Sequence, residues 1–225
     1  MSELIDKIID YFKWPVAIYM FISLPSLIGS LEFFNFTSLK FIALFAGLVC
    51  FIFVKISMDP SMRVNMQVLA HELSHSIFAL LTFHKVKHLH INADDTGGEM
   101  GFTGRGNFLI IIAPYFFPFF ALIYMVVMSF LPDHYMYNGL LGFFLGYHLD
   151  TVLSQIHPKQ TDLPKVGYLF CILFLPGINI FIIGSILAFN SRGFGGILDY
   201  ISLVHHLNIE NINKLLEYIK MISSF

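Results

Sequence analysis

The chain alternates between long runs of apolar residues and short polar connections. Five runs approach or exceed the ~20 residues that a helix needs to cross the hydrocarbon core of a bilayer. They cover about 14–31, 39–56, 107–131, 137–156 and 163–189. A sixth run, at about 62–83, starts polar and becomes apolar towards its end. We therefore predict an all-α polytopic membrane protein with about five to six membrane-embedded helices.

Prolines, glycines and the two chain ends modify this picture. Pro114 and Pro118 lie inside the third of the five runs and predict a kink or a broken helix there. Residues 1–13 have the helical periodicity of a short interfacial helix, and 190–225 read as a Gly-rich link followed by a C-terminal amphipathic tail. The fourth run carries glycines on or near one face, which permits close helix packing. These are Gly139, Gly142 and Gly146.

The composition supports the membrane interpretation. Apolar residues make up 56% of the chain and charged residues 12%, whereas soluble domains have about 45–50% and about 25%. The formal net charge is −2 and no basic patch is visible, so we expect the lipid bilayer as a partner and no nucleic acid. The 225 residues are expected to form a single membrane domain, 1–225.

The polar-to-apolar run contains the pattern H-E-x-x-H at residues 71–75. On a helix, His71 and His75 lie one turn apart on the same face, so both imidazoles can reach one ion. A catalytic zinc site uses about three protein ligands and leaves the fourth position to water, whose pKa the metal lowers towards ~7. Glu72 is close enough to take a proton from that water. The pattern therefore predicts Zn²⁺ on the two histidines and Glu72 as the catalytic base.

The surroundings of the motif favour a metal site over a chance pattern in a buried helix. Its flanks are apolar, and a glutamate with two histidines in such a run is costly unless the groups are paired or metal-bound. Random placement would produce the pattern with a chance of about 0.01.

The stretch after the motif run has the two-residue alternation of a β-strand. Residues 86–92 alternate, residues 94–98 give a turn signal, and residues 99–104 can return as a second strand. We predict a small β-hairpin directly after the metal-motif helix. His88 and His90 would share one strand face, near His84, which leaves two interpretations: a second metal site or, more simply, the polar face of a surface strand.

A third metal ligand has to come from elsewhere in the chain. The candidates are Asp162, His148, Asp150, His157 and Asp199. His148 and Asp150 are two residues apart, so on a helix they point about 200° apart and cannot both face the metal. Asp162 directly precedes the last apolar run, and the alternative reading of this residue is the N-cap of that helix.

The order of these elements resembles a known family. An H-E-x-x-H motif in a membrane helix, then a β-hairpin, then two more spans with an aspartate at the start of the second, is similar to the site-2 protease family of intramembrane zinc metalloproteases. The resemblance covers roughly 62–189, which we take as the metalloprotease core. It implies that His71, His75 and Asp162 bind Zn²⁺ and that Glu72 is the catalytic base.

The details of the resemblance point to one branch of that family. Residues 160–163 are similar to the compact, divergent bacterial branch, and the sequence contains no PDZ-like insertion. This branch implies a multi-pass protein of a bacterial inner or cell membrane. The family's aspartate is usually followed by glycine, whereas Leu163 follows Asp162 here, so His148 is kept as the alternative third ligand.

Two classes of function follow. The resemblance implies a protease that hydrolyses peptide bonds of membrane-protein substrates with a transmembrane helix, and an edge strand of the hairpin could hold the unwound segment. The alternative is a non-catalytic metal-binding membrane protein or a metal transporter, because membrane-embedded His and Asp also mark ion paths. The intact Glu72 favours the enzyme, since a pure binding site has no need of it.

Overall fold

The computed structural model describes residues 1–91, 97–157 and 160–223. Most of these residues are helical, and one small hairpin follows the motif helix, as predicted. The helices are α1 (Ser2–Ile22), α2 (Leu24–Gly29), α3 (Leu39–Ser57), α4 (Pro60–Leu81), α5 (Phe108–Ile112), α6 (Phe119–Met128), α7 (Tyr135–Gln155), α8 (Asp162–Val166) and α9 (Tyr168–Ser223). Single 3₁₀ turns follow α2 (Ser30–Phe33) and α5 (Ala113–Tyr115), and the strands are β1 (Val86–Ile91) and β2 (Gly98–Phe102).

Two helices in the described part of the chain, α3 and α9, are long and apolar enough to cross a membrane. The count rises to four if each of two bent pairs forms one span: α1 with α2, bent by 48°, and α5 with α6, bent by 78°. The sequence led us to expect about five to six embedded helices. The difference lies in α4 and α7, which are long enough but carry the polar residues that meet at the site described below.

Proline has different effects in two of these helices. The break between α5 and α6 falls at Pro114 and Pro118, and α6 begins directly after the second proline, as predicted. The N-terminal helix does not end where we expected an interfacial helix to stop. Instead α1 continues through Pro15 and ends at Ile22, so the predicted short helix and the start of the first span are one element.

Helices α3 and α7 pack with their backbones in direct contact. A Cβ added to Gly142 would lie 1.8 Å from the carbonyl oxygen of Leu44, and one added to Gly47 would lie 1.7 Å from the carbonyl oxygen of Gly139. No residue larger than glycine fits at Gly142 or Gly47 without moving a helix. The predicted close packing of the glycine-bearing helix is therefore confirmed, and it fixes the position of α7.

The hairpin is antiparallel and lies against α4. His90 pairs with Glu99 and Leu89 with Met100. A Cβ on Gly98 would lie 2.8 Å from Cγ of Glu72, so the start of β2 runs directly over the motif. The predicted turn at 94–98 lies largely outside the described residues, because 92–96 are not among them.

Two apolar cores hold the helices together. One joins α2, α3, α6, α7 and α9, and the other joins α1, α5, α8 and the start of α9. Helix α9 is broken at Arg192 and Gly193, where Gly193 takes a positive φ of 62°. After this break, Tyr200 of α9 is buried beside Phe34, which follows α2, and Asn208 Nδ2 donates to Ser23 Oγ, between α1 and α2, at 2.9 Å.

Candidate metal centre

Helix α4 carries the motif and starts at a well-formed cap. Asp59 Oδ1 accepts hydrogen bonds from the backbone nitrogens of Ser61 at 2.9 Å and Met62 at 3.3 Å, and Pro60 takes the first helical position. An aspartate directly before a proline is a local sequence signal for such a helix start. The cap fixes the start of the helix on which residues 71–75 lie three turns later.

Helix α8 presents the aspartate. Leu163 and Val166 are buried in the second apolar core, and this packing holds the short helix in place. Its first residue, Asp162, faces the motif, and Gly167 ends the helix with a φ of 93° that turns the chain into α9. Packing of apolar neighbours therefore places a carboxylate that lies 91 residues from His71 along the chain.

Three ligand atoms converge between α4 and α8. His71 Nε2 and His75 Nε2 are 3.1 Å apart, and Asp162 Oδ2 lies 3.3 Å from the first and 3.2 Å from the second. All three residues are buried. Among the described residues this is the one group of at least three His, Cys, Asp or Glu with ligand atoms within 4.8 Å of one another.

The hydrogen bonds behind the two imidazoles decide which ring nitrogens are free. His75 Nδ1 lies 2.6 Å from the carbonyl oxygen of Ile110, and His71 Nδ1 lies 2.7 Å from Gln155 Oε1. Both partners are acceptors, so each Nδ1 carries the ring hydrogen and donates it. Both Nε2 atoms therefore direct lone pairs at each other and at the carboxylate of Asp162.

Such a set of acceptors requires a positive charge at its centre. Three lone-pair atoms within 3.3 Å and with no hydrogen between them repel one another. Two neutral imidazoles and one carboxylate, each ring held from behind by an acceptor, are what a divalent transition metal takes as ligands in proteins. The residues present therefore fit a metal ion.

The alternative reading of Asp162 as an N-cap is wrong. The N-cap of α8 is Thr161, and no side chain caps that helix end. The carboxylate of Asp162 is used on both sides instead: Oδ2 faces the histidines, and Oδ1 accepts from Lys165 Nζ at 2.9 Å.

The other candidate ligands lie outside the group. His148 is buried on α7, where its Nε2 has no hydrogen-bond partner among the described residues and lines a separate small cavity with Ser74 and Pro118. Asp150 pairs with Lys55. Asp199 pairs with Arg192, and His157 is likewise not part of the group.

The three histidines near the hairpin do not meet. His84 is buried and bonds Asp6 Oδ2 at 3.1 Å, while the rings of His88 and His90 stack at 5.3 Å. His88 Nε2 lies 3.6 Å from Glu99 Oε1 on the exposed side. The described residues thus support the polar strand face and not a second metal site.

A cavity of about 350 Å³ lies over the three converging atoms. Glu72 lines it beside the two histidines, although only 7% of its surface is exposed. The opposite walls come from the start of β2 and from the segment around Asp162, including Lys165. Glu72, the three converging ligand atoms and the start of β2 therefore line the same cavity.

Two contributors to the site are not evident from the sequence. Gln155 and Lys165 have no motif spacing, and both stand at the polar end of a helix, where such residues are common. A polar residue at the end of a mostly apolar run is the one available signal for Gln155. Its partner on α4 becomes visible only in three dimensions.

Comparison with known proteins identifies the family. A family model described as Peptidase M50B-like matches residues 41–156, slightly more than half of the chain and inclusive of the H-E-x-x-H motif. Neither the curated proteins nor the solved structures gave a match. The chain therefore belongs to the Peptidase M50B-like family, and it is an integral membrane protein of the site-2 protease type.

Proposed function

We propose that this protein is an intramembrane zinc metalloprotease that hydrolyses peptide bonds of membrane-protein substrates carrying a transmembrane helix. The observation that carries the proposal is the convergence of His71, His75 and Asp162 beside Glu72 in one cavity. Membership of a family of metallopeptidases supports the class of reaction.

Three of these residues would bind the metal, and the fourth would act as the base. His71 and His75 would hold Zn²⁺ through Nε2, and Asp162 through Oδ2. When bound, zinc supplies Lewis-acid polarisation of a peptide carbonyl and makes water more acidic. Glu72 accepts the proton of the attacking water and can pass it to the nitrogen of the leaving amide.

The carboxylate ligand has two consequences for the site. Asp162 offsets one of the two positive charges of the ion, which two neutral imidazoles cannot do. Lys165 holds Oδ1 at 2.9 Å, so Oδ2 is the oxygen directed at the histidines. We therefore propose that Asp162 would bind the ion through Oδ2, while Lys165 holds Oδ1.

We further propose that β2 holds the substrate. In a two-stranded sheet each strand has one unpaired edge, and it is residues 97–100, at the start of β2, that line the cavity. A substrate helix has to unwind before its amide can be cleaved, and an extended segment can add to such an edge by main-chain hydrogen bonds. The close approach of Gly98 to Glu72 would bring that segment next to the base.

The location and topology are proposed on separate grounds. Two to four helices that could cross a membrane support a multi-pass protein. A bacterial inner or cell membrane rests on the likeness of residues 160–163 to the bacterial branch of the site-2 proteases. The lipid bilayer and a membrane-protein substrate are the proposed partners, and nucleic acid is not.

The test is a comparison of wild type with Glu72→Gln in proteoliposomes, using single-span reporter proteins whose helix contains a central helix-breaking residue. Glu72→Gln keeps the shape of the side chain and removes the base. We expect about one zinc ion per chain in both proteins and a loss of cleavage of about 100-fold or more in the variant. Unchanged cleavage would refute the protease. Bound zinc without cleavage of any reporter by wild type would favour the non-catalytic metal-binding alternative.

A further inference from the structure

We propose that Gln155 is a positioning residue that selects the metal-binding tautomer of His71, and that Lys55, Asp150 and Gln67 keep Gln155 in place. The inference rests on the proposed function, because it concerns a histidine assigned there to the metal. Gln155 borders the cavity, but its amide oxygen lies at His71 Nδ1, on the side of the ring away from the converging atoms. It would act through His71 alone.

The orientation of the Gln155 amide is fixed by its two partners. Gln155 is the last residue of α7 and is 8% exposed. Its Nε2 donates to the backbone carbonyl oxygen of Gln67 at 3.2 Å, and its Oε1 lies 2.7 Å from His71 Nδ1. A carbonyl oxygen can only accept, so the amide nitrogen must face Gln67 and the amide oxygen must face His71.

This orientation determines where the proton of His71 resides. With an acceptor against Nδ1, the neutral ring is protonated at Nδ1 and its Nε2 keeps the lone pair. A reversed amide would present hydrogens to Nδ1 and favour the tautomer protonated at Nε2, which cannot bind a metal through that atom. The reversed amide would also place its oxygen against the carbonyl oxygen of Gln67, where two acceptors repel.

The two histidines are supported in different ways, which makes one of them a control for the other. His75 Nδ1 donates to the backbone carbonyl of Ile110 at 2.6 Å, a group that no side-chain substitution removes. His71 depends on the side chain of Gln155. A change at Gln155 therefore affects one ligand and leaves the support of the other intact.

A second set of contacts holds α7 at the correct distance from α4. Gln67 Nε2 donates to Asp150 Oδ2 at 2.8 Å, and Asp150 Oδ1 accepts from Lys55 at the end of α3. Asp150 is mostly buried, with 12% of its side chain exposed, and hydrogen bonds to a buried carboxylate are stronger than neutral ones. Three helices are thereby joined one and a half turns before Gln155. Asp150, one of the candidate ligands from the sequence, therefore links α7 to α3 and α4.

The experiment measures Zn²⁺ affinity of the purified full-length protein by competition with a chelator of known affinity. Gln155→Leu keeps roughly the side-chain volume and removes the acceptor, whereas Gln155→Glu keeps an acceptor against Nδ1. We expect about a 10- to 100-fold loss of affinity in Gln155→Leu, the range found when an outer partner of a ligating histidine is removed. Gln155→Glu should lose less affinity than Gln155→Leu, because it keeps the acceptor at Nδ1 although its second oxygen then faces the carbonyl oxygen of Gln67. Ser154→Ala, in the same turn of α7, is the control for damage to the helix end.

A second measurement keeps the result independent of activity and folding. Co²⁺ loaded in place of zinc has a visible spectrum that reports ligand geometry, and Gln155→Leu should change this spectrum more than Gln155→Glu does. Asp150→Asn should weaken Zn²⁺ affinity less than Gln155→Leu, because it acts through a further residue.

The outcomes separate this inference from the proposed function. Wild-type zinc affinity and spectrum in Gln155→Leu would overturn the positioning role and leave the metal site standing. Equal loss in Gln155→Leu and Gln155→Glu would also overturn it, since packing and not the acceptor would then be required. If His71→Ala binds zinc as tightly as the wild-type protein does, the proposed metal site itself is wrong.

Discussion

The contact between α3 and α7 allows a sharp prediction, because two glycines on the same helix differ in their surroundings. At Gly142 an added Cβ would lie 1.8 Å from the carbonyl oxygen of Leu44 and 2.9 Å from its Cα. At Gly139 the nearest atom to an added Cβ, the carbonyl oxygen of Ala43, is 3.4 Å away. Gly142→Ala should therefore disrupt the packing of the two helices, and Gly139→Ala should not.

The size of the effect follows from the distances. Since Cβ atoms essentially never lie closer than 3.0 Å to such an atom, Gly142→Ala would push the two backbones apart by at least about 1.2 Å. A gap of that size forfeits a large part of the dispersion attraction across the contact. Overpacking of a tight contact costs about 1–3 kcal/mol, so we expect a loss of about 2 kcal/mol or more in the free energy of unfolding.

The assay is thermal unfolding of the detergent-solubilised protein, followed by circular dichroism at the helix band. For a chain of this length, a loss of about 2 kcal/mol lowers the midpoint by about 4–8 °C. Because α7 carries Gln155, Gly142→Ala should also weaken zinc binding. Equal midpoints for Gly142→Ala and wild type would refute this account of the helix contact, and so would equal damage in Gly139→Ala.

Three further predictions concern the site, the hairpin and the N-terminal helix. His71→Ala and His75→Ala should each lose most of the bound zinc, because two remaining protein ligands hold the ion poorly; stoichiometric zinc in both, by elemental analysis, would place the metal elsewhere. Ile91→Pro, which removes a strand donor, should reduce reporter cleavage more than zinc content, and equal loss of both would indicate misfolding. Asp6→Ala leaves the buried His84 without its carboxylate partner and should lower stability by about 3 kcal/mol without changing zinc affinity; unchanged thermal unfolding would contradict this.

The sequence is most informative where a feature is local. The two histidines of the motif are one helical turn apart, so their shared face follows from helix geometry alone. In the structure their Nε2 atoms are 3.1 Å apart. The break between α5 and α6 follows from Pro114 and Pro118, because proline removes a backbone donor. The cap at Asp59 is similarly local. Each of these depends on residues within a few positions of one another.

Features that depend on distant contacts are harder to predict. Asp162 could be read locally as an N-cap, and only the resemblance to a family favoured it over His148. Its true surroundings depend on the burial of Leu163 and Val166 against α1, α5 and α9. No role for Gln155 follows from the sequence, because its effect depends on which amide atom faces His71, and a carbonyl group on α4 determines that orientation.

The number of membrane-embedded helices is hard to predict from the sequence for a different reason. Both α4 and α7 looked like spans because of their apolar runs, yet each exposes polar groups to the other: Gln67 meets Asp150, and His71 meets Gln155. The length of an apolar run does not register that the polar residues of a helix share one face. The functional helices are therefore the ones that depart from the pattern of a simple span.

The most direct test of the central claim compares the zinc affinity of Asp162→Asn with that of His148→Ala. Asparagine keeps the size of the side chain and could cap a helix equally well, but it lacks the charge that the metal requires. We predict that Asp162→Asn loses most of its zinc and its activity, while His148→Ala retains zinc at the wild-type level. Near-normal zinc in Asp162→Asn, together with loss in His148→Ala, would contradict the metal centre described here.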